Sequence, residues 1–450
     1  MKSFRRNIQR AMNNRQLAID NRQRVKGKGQ FPYCLLPNAY CKLLIAYWLL
    51  LTAYCLLPIA SHAQVLPLDS ILNRIEKNNP MLKMYDEQIN AVNNYSLGAK
   101  SWMPPTVSTG PWQTPYSSFK DGMWMITGEQ MIPNASKQKA NYNYMQGMVP
   151  IEQQGKGAKK NEMFAMAKQN YCERAVLQKK YNVLLQTDSL LNYIVQAAQL
   201  RYTYNKEKLN NIYKAQADLY ELRNMETMLL GDMKMKNVEL NTLMNQDKSS
   251  MFDADTTLHP HNYELQLPDT TLISSSRSDI KQFDASIGML KLQQQYEKSK
   301  RLPDYGVSVS HMQAFGMMPN QFSAMGVVTI PIVPWASKEY KSNIKGLDNT
   351  ANAISFQKQS LINETAGLIA ALQTQMKSTK QQLVNYSSNI IPAYYKTYQT
   401  SMIAYEQNTE DLFVVLDGLK MYRMAKMNEF DQLNTLLKLQ VDYEKQMEIR

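Results

Sequence analysis

Between residues 305 and 315, apolar side chains occupy every second position: Tyr305, Val307 and Val309 alternate with Gly306, Ser308 and Ser310. A period of two predicts a strand with one apolar face and one small, polar face. The C-terminal stretch has a different beat. Leu412, Leu416 and Leu419, then Phe430, Leu433 and Leu437, recur in steps of three and four. That spacing predicts a helix burying a narrow stripe against a neighbour. Residues 337–407 are rich in Lys, Gln, Ala, Leu and Asn; such a helix would reach roughly 105 Å at 1.5 Å per residue. Helices of that length need partner helices, because no globular core can cover them.

The same plan is written twice. Ile132-Pro133-Asn134-Ala135-Ser136-Lys137 matches Val333-Pro334-Trp335-Ala336-Ser337-Lys338 at an offset of 201. Tyr202-Thr203-Tyr204-Asn205 with Leu209 matches Tyr405-Glu406-Gln407-Asn408 with Leu412 at an offset of 203. Repeated short matches at nearly one offset point to an internal repeat. Each copy reads as a polar helix, a proline stop, two strands, a second proline and a very long helical hairpin. The first repeat is placed at 64–246, with a helix from Asp69 interrupted at Asn79-Pro80, strands near 106–116 and 122–132, and a hairpin tip near Asn205. The second covers 276–450, with strands near 305–315 and 323–333 and a tip near Asn408. Strands of about 10 residues are long enough to cross a bilayer when tilted, and weak alternation is the pattern of a transmembrane barrel. Between the repeats, 247–275 is rich in Asp, Ser, Thr and Pro and is expected to be a linker outside the helical array. Gly147-Met148-Val149-Pro150 with Gly155 and Gly157 interrupts the first long helix, as a kink or as an inserted loop.

Charge changes the picture only at the N-terminus. The chain of 450 residues carries a formal +13. Residues 1–63 hold ten Lys/Arg and one acid, Asp20, leaving 41 Lys/Arg against 37 Asp/Glu in the remainder. That near-balance removes the main support for nucleic-acid binding. The basic head precedes an apolar run at 43–60 and then Ser61-His62-Ala63-Gln64. This order predicts a secretory leader over 1–63, cut after Ala63; the rival is an uncleaved anchor, since about 18 apolar residues approach a membrane span. Cys34, Cys41 and Cys55 lie in that leader, and Tyr54 before Cys55 argues against lipidation. Cys172 stands alone downstream, so packing rather than disulfides must hold the fold. Mean hydropathy is −0.45, too polar for a multi-helix inner-membrane protein.

Catalytic signatures are missing. Gln154-Gly155-Lys156-Gly157 lacks the first glycine of a phosphate loop. His259, His261 and His311 are the only histidines beyond the leader, and His259-Pro260-His261 has no third ligand in sequence to make a metal site. No enzyme, cofactor or metal site is expected. Methionine is the compositional oddity, at 29 residues. Met123, Met125, Met131, Met312, Met317, Met318 and Met325 fall in or beside the strands. Thioethers suit Cu(I) and Ag(I), but methionine is also a flexible filler.

These residues resemble the TolC family of outer-membrane efflux proteins, over roughly residues 66–450. The most specific stretch is Ile391-Pro392, then Tyr405-Glu406-Gln407-Asn408, then Leu412-Phe413-Val414-Val415-Leu416-Asp417. Asn205 and Asn408 stand where the family commonly has glycine; asparagine is the next best residue for a left-handed turn. The resemblance implies a mainly α fold with a small β part. Each subunit would give four strands to a shared barrel and its helices to a periplasmic tunnel. Four strands cannot close, and open edges are costly in lipid. Two subunits would make a filled eight-stranded barrel, whereas three make twelve strands with a lumen. The expected assembly is a homotrimer in the outer membrane, a passive conduit driven by an inner-membrane pump through a periplasmic adaptor. By the same resemblance Asp417 aligns with an acidic gate position, and Tyr405, Asn408, Leu412, Tyr202, Asn205 and Leu209 become adaptor-contact candidates. Val414 occupies the sister gate position. The competing reading is a periplasmic coiled-coil adaptor or scaffold with no barrel.

Overall fold

The computed structural model describes residues 65–265 and 270–450. The expected leader, its cleavage point and Cys34, Cys41 and Cys55 lie outside the described residues. The chain is mainly helical with one small sheet. In chain order it runs α1 (Leu68–Asn78), α2 (Pro80–Gly98), β1 (Thr106–Trp112), β2 (Met123–Ile132), α3 (Ala135–Gln146), α4 (Val149–Thr203) and α5 (Leu209–Leu243). Then follow α6 (Thr270–Ser276), α7 (Ser278–Ser299), β3 (Tyr305–Ala314), β4 (Gln321–Val328), α8 (Pro334–Asn385), α9 (Ile391–Glu406) and α10 (Leu412–Met447).

Local chemistry fixes most boundaries. Asn79 ends α1 and caps α2, its side chain accepting the Met81 amide at 2.9 Å while Pro80 occupies the first turn. Asn134 caps α3 in the same way through Ser136. β1 stops at Trp112, short of Tyr116, because Gln113 turns left-handed (φ 49°). β4 begins at Gln321 and ends at Val328, earlier than the expected 323–333. Asn320 closes the preceding turn on the Ala314 amide, and the Thr329 amide is drawn off to the Asp304 carbonyl. Gly316 in that turn has φ 95°, a conformation that needs glycine.

Residues 147–157 form a kink with no inserted loop. Gly147 and Met148 keep helical hydrogen bonds to Asn143 and Met145, and α4 restarts with Pro150 in its first turn. The glycines serve close packing. A Cβ on Gly147 would strike Leu292 of α7 at 2.7 Å, and one on Gly155 would crowd Tyr85 of α2 and Gln282 of α7. The second long helix breaks elsewhere: Tyr386–Ile390 is a π turn joining α8 to α9, just before Pro392, which cannot donate to the helical ladder. Pro334–Glu406 is therefore one helical run of about 110 Å.

Among the described residues, three large cores lie along the helices, with a small fourth formed by Cys172, Val176 and Leu437. Nearest the tips, Leu184, Leu191 and Ile194 of α4 meet Ile212, Leu219 and Leu222 of α5, and Leu412, Val415 and Leu419 of α10. A second core joins Ile71 and Ile75 to Phe164 and Tyr171, and a third joins Ile280, Ile369, Met376 and Leu436. The segment expected to stand outside the helical array instead packs on it. Phe252 and Ala254 are buried in the second core. The Tyr171 hydroxyl donates to the Leu66 carbonyl at 3.0 Å and accepts the Asp255 amide at 2.8 Å. Buried Asn237 and Asn241 satisfy the Phe252 and Ser250 carbonyls. Ile273 is likewise buried in the third core, and these few apolar residues are scattered singly through a polar stretch, which is why the segment reads as a free linker.

The sheet is antiparallel in the order β1-β2-β3-β4, so β1 and β4 are its edges. β2 and β3 pair in full, from Met123↔Ala314 to Ile132↔Tyr305. Tyr305, Val307, Val309 and His311 are exposed, whereas Gly306, Ser308 and Ser310 are buried. Trp124, Ile126, Val107 and Phe322 share the exposed face by register. Among the described residues, no helix is long and apolar enough to cross a membrane.

Candidate functional site at the helix tips

Both hairpins turn on an asparagine in the left-handed region, Asn205 at φ 56° and Asn408 at φ 63°. The hydrogen bonds around them correspond. Asn205 N–H donates to Tyr202 O and Lys206 N–H reaches back to Arg201 O; Asn408 N–H donates to Tyr405 O and Thr409 N–H reaches back to Ala404 O. The five-residue return bond with a left-handed residue inside it is the Schellman closure of a helix. After the second tip, Asp411 starts α10 by accepting the Phe413 amide at 2.9 Å. That bond is the main reason the Asp411 carboxyl is held below its usual range, with Lys208 and Asn211 adding to it.

The two tips are joined by side chains. Tyr405 is 3% exposed, and its hydroxyl donates to Glu207 Oε2 at 2.6 Å. Burial first, and then the bonded carboxylate, push the phenol well above its ordinary value. The Arg201 guanidinium lies 4.2 Å from the Tyr405 ring centre, donates to the Tyr405 carbonyl at 3.0 Å and also donates to Asn408 Oδ1. Asn211 bridges Glu207 Oε1 at 2.9 Å and Asp411 Oδ1 at 3.0 Å. Arg201, Glu207, Tyr405, Asn408 and Asp411 line an open polar cleft of about 300 Å³. Its chemistry is that of a latch, made of charge-assisted hydrogen bonds that fasten one hairpin to the other.

Of the residues singled out from sequence, Tyr405, Asn408 and Asn205 line this cleft with Leu412, whose side chain is fully buried in the tip core. Tyr202 and Leu209 lie beside it and are exposed. Asp417 is exposed on α10, outside the latch, and is in no ion pair among the described residues. Arg201, Asn211 and Asp411 break the repeat, whereas Glu207 keeps it, with Glu410 as its counterpart. At an offset of 203, Ala404 stands opposite Arg201 and Lys208 opposite Asp411. The readable signal was the pair of charged runs, Lys206-Glu207-Lys208 and Glu410-Asp411, directly after each asparagine. Elsewhere, His259 and His261 are exposed, and the latter's backbone is pinned to Gln440. Among the described residues, no group of three His, Cys, Asp or Glu side chains is placed to hold a metal. Cys172 is buried, which pushes its thiol up to about 12.

Solved structures share the fold of this chain. The Campylobacter jejuni CmeC outer membrane channel superposes with a TM-score of 0.65 at 14% identity, over 84% of this chain and 85% of that one. The Vibrio cholerae outer membrane protein VceC gives 0.66 at 12%, over 84% and 95%. The open state of the Neisseria gonorrhoeae MtrE outer membrane channel gives 0.62 at 11%, over 84% and 88%. The fold is that of the outer-membrane efflux channels. The channel fold runs through nearly the whole of those proteins, sheet and helices together. These neighbours are channels and not enzymes. No family model matches the sequence, and no curated protein sequence does.

Proposed function

We propose that this chain is the outer-membrane subunit of an efflux system, a passive conduit from the periplasm to the exterior for small toxic compounds or metal ions. The observation that carries the reading is the sheet. Its face bearing Val107, Trp124, Ile126, Val307, Val309 and Phe322 is exposed, and both edges lack a partner strand. An apolar face with open edges suits lipid only when further copies close the ring. Three copies would give a twelve-stranded barrel with a water-filled lumen, and the helices of the three would form one tunnel beneath it. In this reading 64–246 and 276–450 are the two repeats, each contributing two strands and one hairpin. Transport is driven elsewhere, by an inner-membrane pump joined through a periplasmic adaptor that docks at the tips on the exposed Tyr202, Asn205, Leu209 and Asn408, while Tyr405 and Leu412, expected from sequence as contacts, are buried and hold the tip core beneath them. Opening the tunnel would require the Arg201–Tyr405–Glu207 latch to release. Asp417, repeated in three copies, would ring the tunnel with carboxylates that favour cations.

The test is fractionation and assembly of the full chain. It should be recovered from outer membranes only with detergent, migrate as a trimer after cross-linking, and raise tolerance to toxicants when its pump is present. Recovery as a detergent-free monomer would instead identify a periplasmic coiled-coil adaptor or scaffold.

A further inference from the structure

The register sorts the strand methionines onto one face. Pairing places Met123, Met125 and Met131 of β2, Met312 of β3 and Met325 of β4 on the face of Gly306, Ser308 and Ser310. The opposite, exposed face carries Val, Ile, Phe, Trp and Tyr but no methionine, and none of the four strands contains a leucine. A demand for filling volume would be met as well by leucine, which exchanges with methionine at little cost. On the face of Gly306 apolar volume comes mainly as thioethers, from buried Met123 through half-buried Met125, Met131 and Met312 to exposed Met325.

In the channel reading the exposed apolar face meets lipid, so the opposite face, with its small and hydroxyl-bearing residues, becomes the lumen wall. The methionines then fall in tiers along the conduit. Met131 lies at the helix end, its sulfur over Gly306, where any Cβ would overlap it. Met325 follows, on the row of Ser308 and Glu129. A belt of hydroxyls comes next, with Thr127 and Ser310 bonded at 2.8 Å. Met125 and Met312 then stand directly paired, with Met123 beyond them. Met317 and Met318 lie exposed in the β3–β4 turn at the mouth. Successive rows on one face are roughly 6.5–7 Å apart along a strand, and paired positions about 5 Å apart. Glu129, the one carboxylate in the four strands, shares the same face.

We propose that this face is a thioether track that passes soft monovalent cations of the Cu(I) and Ag(I) class through the barrel. Soft sulfur ligands select such ions, and several weak sites in series allow an ion both to enter and to leave. Thioethers carry no charge and take up no proton, so the track works without a pH step. The proposal rests on the channel reading above and narrows its cargo.

The test uses the full chain labelled with ¹³C at the methionine methyls, in detergent and in vesicles of phosphatidylethanolamine and phosphatidylglycerol, with silver nitrate as the probe. The methyl resonances of Met125, Met312 and Met325 should shift at lower Ag(I) than those of helical methionines. The M125L/M312L variant should bind Ag(I) at least tenfold more weakly at this site and slow Ag(I) release from vesicles, while trimer yield and release of an uncharged dye stay unchanged. A leaky trimer whose strand methyls ignore Ag(I), or a variant that binds and passes it equally well, overturns the proposal alone. A chain that remains monomeric and leaves vesicles sealed overturns the channel reading and the track with it.

Discussion

Tyr405 is buried among the tip helices yet sends its hydroxyl to a carboxylate on the other hairpin. Hydrogen bonds to charged groups contribute about 1.5–3 kcal/mol, so Tyr405→Phe should loosen the tips by roughly that amount while sparing the core. Amide exchange at 205–211 and 408–413 should speed up, with exchange in the second and third cores unchanged. Asp411 adds a pH dependence. Its folded pKa lies below the unfolded value of about 3.9. Its contribution is therefore complete above that value and disappears as pH falls through the folded one. Tip protection factors, corrected for the intrinsic exchange rate, should be flat from pH 7 to 5 and fall only in stronger acid, and Asp411→Asn should remove that fall. Farther along, Glu444 faces the Lys168 ammonium and accepts the Tyr263 hydroxyl at 2.9 Å, all largely buried. Glu444→Ala strands that ammonium, a change that costs about 3–5 kcal/mol and is measurable by denaturant unfolding in detergent. At this scale the sequence was readable where residues repeat. The two asparagines were visible as a pair because both tips need the same left-handed turn. Arg201 was hidden because a latch between unlike hairpins has no reason to repeat, and Glu207, although matched by Glu410, shows its role only once the Tyr405 hydroxyl is seen to reach it.

Among the elements, the helix starts were legible because their chemistry is local: Asn79-Pro80 and Asn134-Ala-Ser each cap within three residues. The irregularities inside the long helices were not. The glycines at 147–157 make sense only with α7 alongside, 130 or so residues away in sequence. A Cβ on Gly157 would meet Ser278 Cβ at 3.0 Å and its hydroxyl closer still, and that hydroxyl is already committed to Glu448. Overpacking of this kind costs about 1–3 kcal/mol. Gly157→Ala should lower stability by that amount, and Ser278→Ala in the same chain should return part of it, read as paired shifts in unfolding midpoint. The π turn at Tyr386–Ile390 was equally hidden, since Pro392 announces a lost donor without saying how the helix absorbs it.

For the molecule as a whole, the alternation in β3 already stated which side faces away from the small residues, but nothing in the chain said that β2 pairs with β3 across the entire first hairpin. Pairing between strands separated by a long helical excursion leaves no local trace. The two faces now make opposite predictions. Val309→Arg puts a charge on the exposed apolar face, at about 2–4 kcal/mol near a bilayer midplane, and should abolish recovery from outer membranes. Ser310→Arg, one residue on and facing the other way, should leave recovery intact while lowering cation conductance in planar bilayers. The unpaired rims of β1 and β4 carry a temporal consequence. If further copies close the barrel as proposed, each newly made chain arrives with two raw borders for its siblings to seal, so productive encounters depend steeply on how many chains are present at once. Halving synthesis should cut the yield of finished pores by more than half, and a holding protein that shields those borders would set the pace of biogenesis.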